Sequence, residues 1–437
     1  MPGRRRQDSP NNLWSPAFRV NRELALSASR RCRYSSRMPS TSRRRAILLI
    51  CAAALAMATN YTIQGPVLGF IRAEFALSSA DAGAIATAFF AGAASTMLFG
   101  GAVADRIGAR PAVTIGFLFV LVGNLGAGLA SPSFGALLAW RVLGGIGIGL
   151  AFPAGSSYTR SIFDERGRHL AQGLYGAAFL LGFALTLAYI PVLAGSAGNW
   201  RLAFTLSAMP LFLVWLLWVT FAPIGPRSST SRSARAALGV ALRQRNTSLL
   251  ALCHMCGFGL SIVISTWVTL YLAQAFALPL ASAGAIGALS VIAGIAGRML
   301  GGVSLEAGVP PIRAIRAGLG LGAIGLAVMA FAPTLPIAIV ALVAANLGVG
   351  FPYAAVFNGA AASAPTSPAS AQAVVGWGGL LTAIFGPPLV GSLLDATGGF
   401  AAGFLSLAGI VVVVLLMTPL LRPFDLRASH LAAAGPG

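Results

Sequence analysis

Twelve runs of roughly twenty or more apolar residues, each bounded by charge, proline or small polar residues, leave this chain little choice of fold. A helix crossing the ~30 Å hydrocarbon core of a bilayer needs about 20 such residues. The runs lie near 46–70, 82–104, 111–130, 134–156, 170–194 and 202–222, then near 248–274, 282–304, 312–332, 336–358, 371–394 and 400–421. Transmembrane β-strands are shorter, about 10 residues, and alternate in polarity; these runs are too long and too uniformly apolar for that. Composition agrees, because only 9% of residues are charged and the mean hydropathy is +0.82. A soluble domain carries roughly 25% charged residues. The predicted fold class is an all-α membrane protein with 12 transmembrane helices.

Every basic residue is an arginine, 30 in all. They fall in the short gaps between apolar runs rather than on one solvated face, so the high net charge points to the lipid bilayer as partner and not to nucleic acid. With the N-terminus inside, 27 of the 30 lie on or near the inner side, Arg298, Arg313 and Arg316 being placed there as flanks of the gap between spans 8 and 9. Arg72 and Arg201 fall outside, and Arg141 lies within span 4. The positive-inside rule then puts both termini in the cytoplasm of a multi-pass protein, most simply in a bacterial inner membrane.

Residues 1–45 are Arg- and Ser-rich and read as a disordered tail, with Met38 a candidate true start; a lipid-surface contact or a targeting role is the alternative. A basic linker at 223–247 separates a six-helix unit at 46–222 from a second at 248–422, and 423–437 form a C-terminal tail.

The two units repeat. Gly101 and Asp105 after span 2 meet Gly302 and Glu306 after span 8 at an offset of 201, and Gly147 and Gly149 meet Gly348 and Gly350 at the same offset. Trp200 and Phe204 meet Phe400 and Phe404 at 200. Two parallel six-helix repeats about an axis along the membrane normal are a transporter architecture with a binding cavity between the halves.

Gly101-Ala-Val-Ala-Asp105-Arg106-Ile-Gly108-Ala-Arg110, between spans 2 and 3, resembles the loop signature of the major facilitator superfamily. Gly101 would let the helix end pack closely, Gly108 would permit the reversal, Asp105 would accept hydrogen bonds from a neighbouring helix N-terminus, and Arg106 and Arg110 would hold the loop inside. Arg141-Val-Leu-Gly-Gly145-Ile-Gly147-Ile-Gly149 on span 4 resembles the family's second motif, and its glycines would admit a neighbouring helix. Asn199-Trp200-Arg201 and the stretch from Gly386 to Asp395 extend the resemblance over residues 46–422. The antiporter Gly-Pro pair is missing from span 5, whose only proline is Pro191.

The resemblance implies secondary active transport by alternating access, driven by an ion gradient (a proton gradient is the expected one), with no other cofactor and a monomer as the family default. In the family, the span 2–3 loop latches one face and spans 1, 4, 7 and 10 line the cavity. The candidate coupling or substrate residues are therefore Arg141, with Asn60, Tyr61 and Gln64 on span 1, His254, Trp267 and Tyr271 on span 7, Asn346 and Tyr353 on span 10, and Trp377 on span 11. For each, helix packing is the competing role. Phe152-Pro153 and Phe351-Pro352 are expected helix breaks at matching depths.

Cys253-His254-Met255-Cys256 sits inside an apolar run without a second thiol pair or carboxylate at that depth, so no metal site is expected. No G-x-S-x-G, P-loop or carboxylate cluster occurs, and no enzymatic activity or catalytic residue is expected. Ten acids are present, and no predicted span carries one centrally. A neutral or anionic small solute therefore fits better than a lipophilic cation. Efflux of amphipathic compounds on the same fold is the alternative, and a polytopic membrane enzyme or sensor the remote one.

Overall fold

The computed structural model describes residues 40–163, 165–224, 234–365 and 367–424. Most of the N-terminal tail with Met38, the centre of the linker and nearly all of the C-terminal tail lie outside the described residues. Twelve helices are long and apolar enough to cross a membrane, and no strand occurs among the described residues. In chain order they are span 1 (Thr41–Phe75), span 2 (Ser79–Ile107), span 3 (Ala109–Leu129), span 4 (Phe134–Thr159), span 5 (Leu170–Gly195), span 6 (Trp200–Phe221), span 7 (Arg245–Ala275), span 8 (Leu280–Glu306), span 9 (Pro311–Ala330), span 10 (Leu335–Ser363), span 11 (Ser370–Thr397) and span 12 (Ala401–Leu420).

Polar residues set several starts. Ser78 and Ser133 accept from the backbone N–H groups of Asp81 and Ala136 to cap spans 2 and 4, and Asn199 accepts from Arg201 to cap span 6. Two boundaries differ from the sequence reading. Helix begins at Ser40, so Arg43, Arg44 and Arg45 belong to the first turns of span 1 rather than to a tail. The linker contains a helix, Ala234–Arg243, which packs on span 11 and fully buries Ala241; span 7 then starts at Arg245.

The duplication appears in the backbone itself. Among the described residues six have positive φ, and they form three pairs at offsets of 201, 200 and 200: Ala76 with Ala277, Gly108 with Gly308, and Gly198 with Gly398. Two alanines held at φ 52° and 51° are a conformation that side chains disfavour, and both stand where spans 1 and 7 turn toward spans 2 and 8.

Packing within each half repeats as well. Gly147 and Gly149 lie against the backbones of Gly116 and Ala93; Gly348 and Gly350 lie against those of Gly318 and Gly294. The glycine that admits a neighbour at the end of span 2 is Gly100, pressed on Gly149 and Leu150, with Gly301 on Phe351 as its mate. A Cβ at Gly101 would meet nothing within 4 Å, so the close packing expected of Gly101 belongs one residue earlier.

The halves meet through spans 2 with 11 and 5 with 8. Their closest approaches lie toward the face opposite the Arg-rich loops. There Gly65 rests on the backbone of Ser265 and Thr266, Gly284 on Leu187 and Pro191, and Gly391 on Ser79. Asp395, near the end of span 11, accepts from the N–H groups of Ser79 (2.8 Å) and Ala80 (2.9 Å) at the start of span 2. Thr87 donates to the Ile384 carbonyl, and Trp377 Nε1 donates to the Ala94 carbonyl at 3.2 Å.

Candidate functional site

The span 2–3 loop is built as a tight reversal: Gly108, at φ 99°, both ends span 2 and begins span 3. Asp105 and Arg106 are exposed, and Arg110 donates to the Val219 carbonyl at the end of span 6. On the opposite face Trp200 Nε1 and Arg201 Nη1 both donate to Glu74 Oε2 at 2.6 Å, while Arg201 Nη2 donates to the Ser131 carbonyl at 3.0 Å. Asn199-Trp200-Arg201 thus fastens the start of span 6 to the ends of spans 1 and 3.

Arg141 is 2% exposed. Its Nη2 donates to the Asn60 carbonyl and to Gln64 Oε1, both at 2.8 Å, and its guanidinium lies 4.3 Å from the Phe89 ring centre and 5.7 Å from that of Phe204. Among the described residues no carboxylate is within 4.0 Å of it, and its Nε has no hydrogen-bond partner. The residues it holds immediately precede the interruption of span 1, where Ser40–Thr62 gives way to a 3-10 turn, Gly65–Val67, before Leu68–Phe75. Glycine and proline at 65 and 66 explain that interruption, and Arg141 fixes the chain on its near side. Gly145, one turn on, rests directly on the Phe89 carbonyl and sets how closely spans 2 and 4 approach.

Tyr61 is the centre of an aromatic cluster. Its ring lies 5.2 Å from Phe89, 5.3 Å from Phe90, 4.8 Å from Phe179 and 5.1 Å from Phe183, all in the first half, and 6.2 Å from Phe258 in the second. Phe258 continues to His254 at 6.1 Å; His254 meets Phe357 at 4.8 Å and Tyr353 at 6.0 Å. An unbroken row of ring contacts therefore runs from Arg141 in one half to His254 and Tyr353 in the other.

The remaining candidates are not brought into this row. Trp267 donates to the Pro387 carbonyl at 3.1 Å and Tyr271 to the Met329 carbonyl at 3.1 Å, so both side chains are turned into the second half and bind span 7 to spans 11 and 9. Asn346 donates to the Leu342 carbonyl of its own helix, and its buried Oδ1 is unpaired, as is that of Asn60. Trp377 joins the halves through Ala94.

One more arginine adjoins this row. Arg298, read from the sequence as a flank of the inner loop, lies inside span 8, eight residues before its end at Glu306, a rise of about 12 Å. It is half-buried, with its guanidinium 4.4 Å from the Tyr353 ring centre. The run 282–304 around it is apolar, and an arginine within such a run was the available signal.

Helix irregularity was half legible. Span 10 is interrupted at Phe351-Pro352, as expected, but Phe152-Pro153 causes no break: Phe134–Ile162 is one helix with Pro153 inside it. Span 7 instead carries a π turn at Met255–Gly259, just after His254. Cys253 and Cys256 are buried free thiols, and among the described residues no three His, Cys, Asp or Glu side chains gather to hold a metal ion.

Residues 50–371 match the profile of the Major Facilitator Superfamily. The arabinose-proton symporter of Escherichia coli K12 is 31% identical over 37% of this chain and 33% of its own length. The probable sulfoacetate transporter of Cupriavidus necator is 29% identical over 56% of this chain and 60% of its own. Both alignments thus span less than two thirds of the curated relative. Among solved structures, a bacterial homolog of the human lysosomal transporter Spinster, inward-facing and unoccupied, superposes with a TM-score of 0.72 at 19% identity, covering 90% of this chain and 98% of that one. The twelve spans, the duplicated halves and the loop signature are accompanied by a profile match over most of the chain, and the chain belongs to the major facilitator superfamily.

Proposed function

We propose that this membrane protein is a secondary active transporter that carries a small anionic solute by alternating access, with a proton gradient as the driving force and its Arg-rich face in the cytoplasm. One observation carries the preference for an anion. Two arginines, Arg141 and Arg298, stand seven and eight residues from the nearer end of their spans, and among the described residues no carboxylate is within 4.0 Å of either, while the described acids sit at span ends. An intramembrane charge is expensive, and a cation that no carboxylate neutralises marks a cavity or a substrate path. Arginine recognises carboxylate and sulfonate groups through its fork of donors. The relative named for sulfoacetate supports the reading, and the arabinose-proton symporter supports coupling to protons.

Efflux of amphipathic compounds has one observation in its favour, the aromatic cluster around Tyr61 that spans both halves. Proteoliposomes containing an internal pH dye separate the two. Anions, neutral solutes and lipophilic cations are added as separate pools, and proton flux is followed. Flux with the anion pool is the expected result; flux with lipophilic cations alone would replace the anion reading with efflux.

A further inference from the structure

Three irregular features of the second half converge on one small cavity. The first is Arg298, whose guanidinium covers the face of Tyr353 and has no hydrogen-bond acceptor among the described residues. The second is the π turn Met255–Gly259, which directly follows His254; π turns inside helices are rare and concentrate at functional sites. The third is the interruption at Phe351-Pro352, where proline has no N–H to offer the Gly348 carbonyl. The cavity among them holds about 10 Å³ and is walled by Cys253, Gly257, Val349 and Val356, with Arg298, His254 and Tyr353 as its polar groups. That volume is at the limit for a single water, so the cavity is too small for a solute in this conformation.

Resting on the anion reading above, we infer that Arg298, His254 and Tyr353 form the subsite that receives the negatively charged group of the solute, a carboxylate or sulfonate. Arg298 gives its ring-facing side to Tyr353 and keeps its donor edges for the anion, which is the arrangement a planar guanidinium offers and an ammonium does not. Neither spans 7 and 10 at this depth nor the cavity walls present a competing carboxylate, so an entering anion meets an unpaired cation. The π turn and the Pro352 interruption are where spans 7 and 10 can yield to enlarge the space. Phe258 connects the subsite to the first half, because its ring touches both His254 and Tyr61. The duplication does not account for Arg298: its counterpart at the 201 offset is Met97.

The purified full chain in detergent tests this by equilibrium binding of butyrate, succinate and methanesulfonate, with butyramide as the uncharged comparison. The wild-type chain is expected to prefer butyrate to butyramide. Arg298→Gln should reduce binding of the three anions tenfold or more and abolish that preference, leaving butyramide unchanged. Arg313→Gln, which removes an exposed arginine beside the neighbouring loop, should keep it. An Arg298→Gln variant that retains the preference overturns the subsite and leaves the transporter reading standing. A wild-type chain that binds none of the three anions overturns both the subsite and the anion reading on which it rests. If Arg298→Gln does not elute as a folded monodisperse species, Arg298→Lys is read in its place. Its point charge without a fork should weaken anion binding at least threefold, and wild-type affinity there overturns the proposal.

Discussion

Asp395 offers the most direct perturbation of the conformational balance. It is the last acid before span 11 ends, and its two oxygens accept from successive backbone N–H groups at the start of span 2, so one side chain joins the two halves. Hydrogen bonds to a charged group contribute about 1.5–3 kcal/mol each when buried. Asp395 is exposed, and solvent screening brings each bond nearer to ~1 kcal/mol. Placing a negative charge at the N-terminus of a helix adds about 0.3–1 kcal/mol. Asp395→Ala should therefore destabilise the closed arrangement of that face by about 2–3 kcal/mol, a factor of roughly 30–150 in the equilibrium. A face open in about 1% of molecules would become open in about 20–60% of them. Asp395→Asn keeps one acceptor but loses one bond and the charge, about 1.3–2 kcal/mol, so its effect should be a factor of roughly 10–30. Spin labels on cysteines at Ala73 and Ala275, both exposed near the ends of spans 1 and 7, report the separation in a background whose native cysteines are replaced by alanine. Distance distributions identical for wild type and Asp395→Ala would refute the reasoning, because they would mean that the two bonds do not hold the halves together.

Three further expectations rest on single contacts. Gly145→Val would drive a side chain into the Phe89 carbonyl, a backbone atom that cannot swing aside; a loss of the monodisperse species in detergent chromatography is expected, whereas Gly101→Ala, facing open space, should change stability by less than about 0.5 kcal/mol. Arg141→Met takes the donor away from the Asn60 carbonyl and the buried Gln64 Oε1 and should lower stability by about 1–3 kcal/mol, read as a lower melting temperature; solute-driven proton flux should fall at least tenfold, and full flux would remove Arg141 from the site. Glu74→Gln weakens an ion pair whose members are 40% and 31% exposed, so it should cost at most about 1 kcal/mol, and the melting difference should shrink in 1 M salt.

The scaffold was legible because burial in lipid forces a periodic, charge-free sequence, and because a duplicated chain repeats its special residues. The offset read from Gly147, Gly149, Trp200 and Phe204 reappears as paired positive-φ residues, among them Ala76 and Ala277, which no turn-forming residue type announced. The site was legible only in part. Arg141 was conspicuous, and the structure brings Asn60 and Gln64 to it. Trp267 and Tyr271 occupy a cavity-lining span by number, but rotation about the helix axis sends both to carbonyls of their own half. Which way a side chain faces depends on helix phase, and the π turn at Met255–Gly259 shifts that phase in the middle of span 7. Pro153 failed as a predictor of a break because, within a membrane, neighbouring helices and side chains can satisfy the backbone group that a proline frees, so the helix runs on through it.

Duplication and asymmetry together indicate where the chemistry is. The residues that turn the chain or let helices touch have mates about 200 positions away, as expected if both halves retain one ancestral scaffold. The two intramembrane arginines do not: Leu342 stands opposite Arg141, and Met97 opposite Arg298. The π turn at Met255–Gly259 corresponds to regular helix in span 1, and the 3-10 turn at Gly65–Val67 corresponds to regular helix in span 7. A charged residue at the centre of a span costs about 2.5–3.5 kcal/mol on insertion scales, and neither arginine recovers that through an ion pair in this structure. The six positive-φ residues could be kept by packing alone; two cations without a carboxylate could not. Each half has therefore acquired its own cation and its own helix irregularity, and the aromatic row through Phe89, Tyr61, Phe258 and His254 is where the two departures from symmetry meet. A solute held there contacts both halves at once, which is the geometric condition for its binding to bias how one half moves against the other.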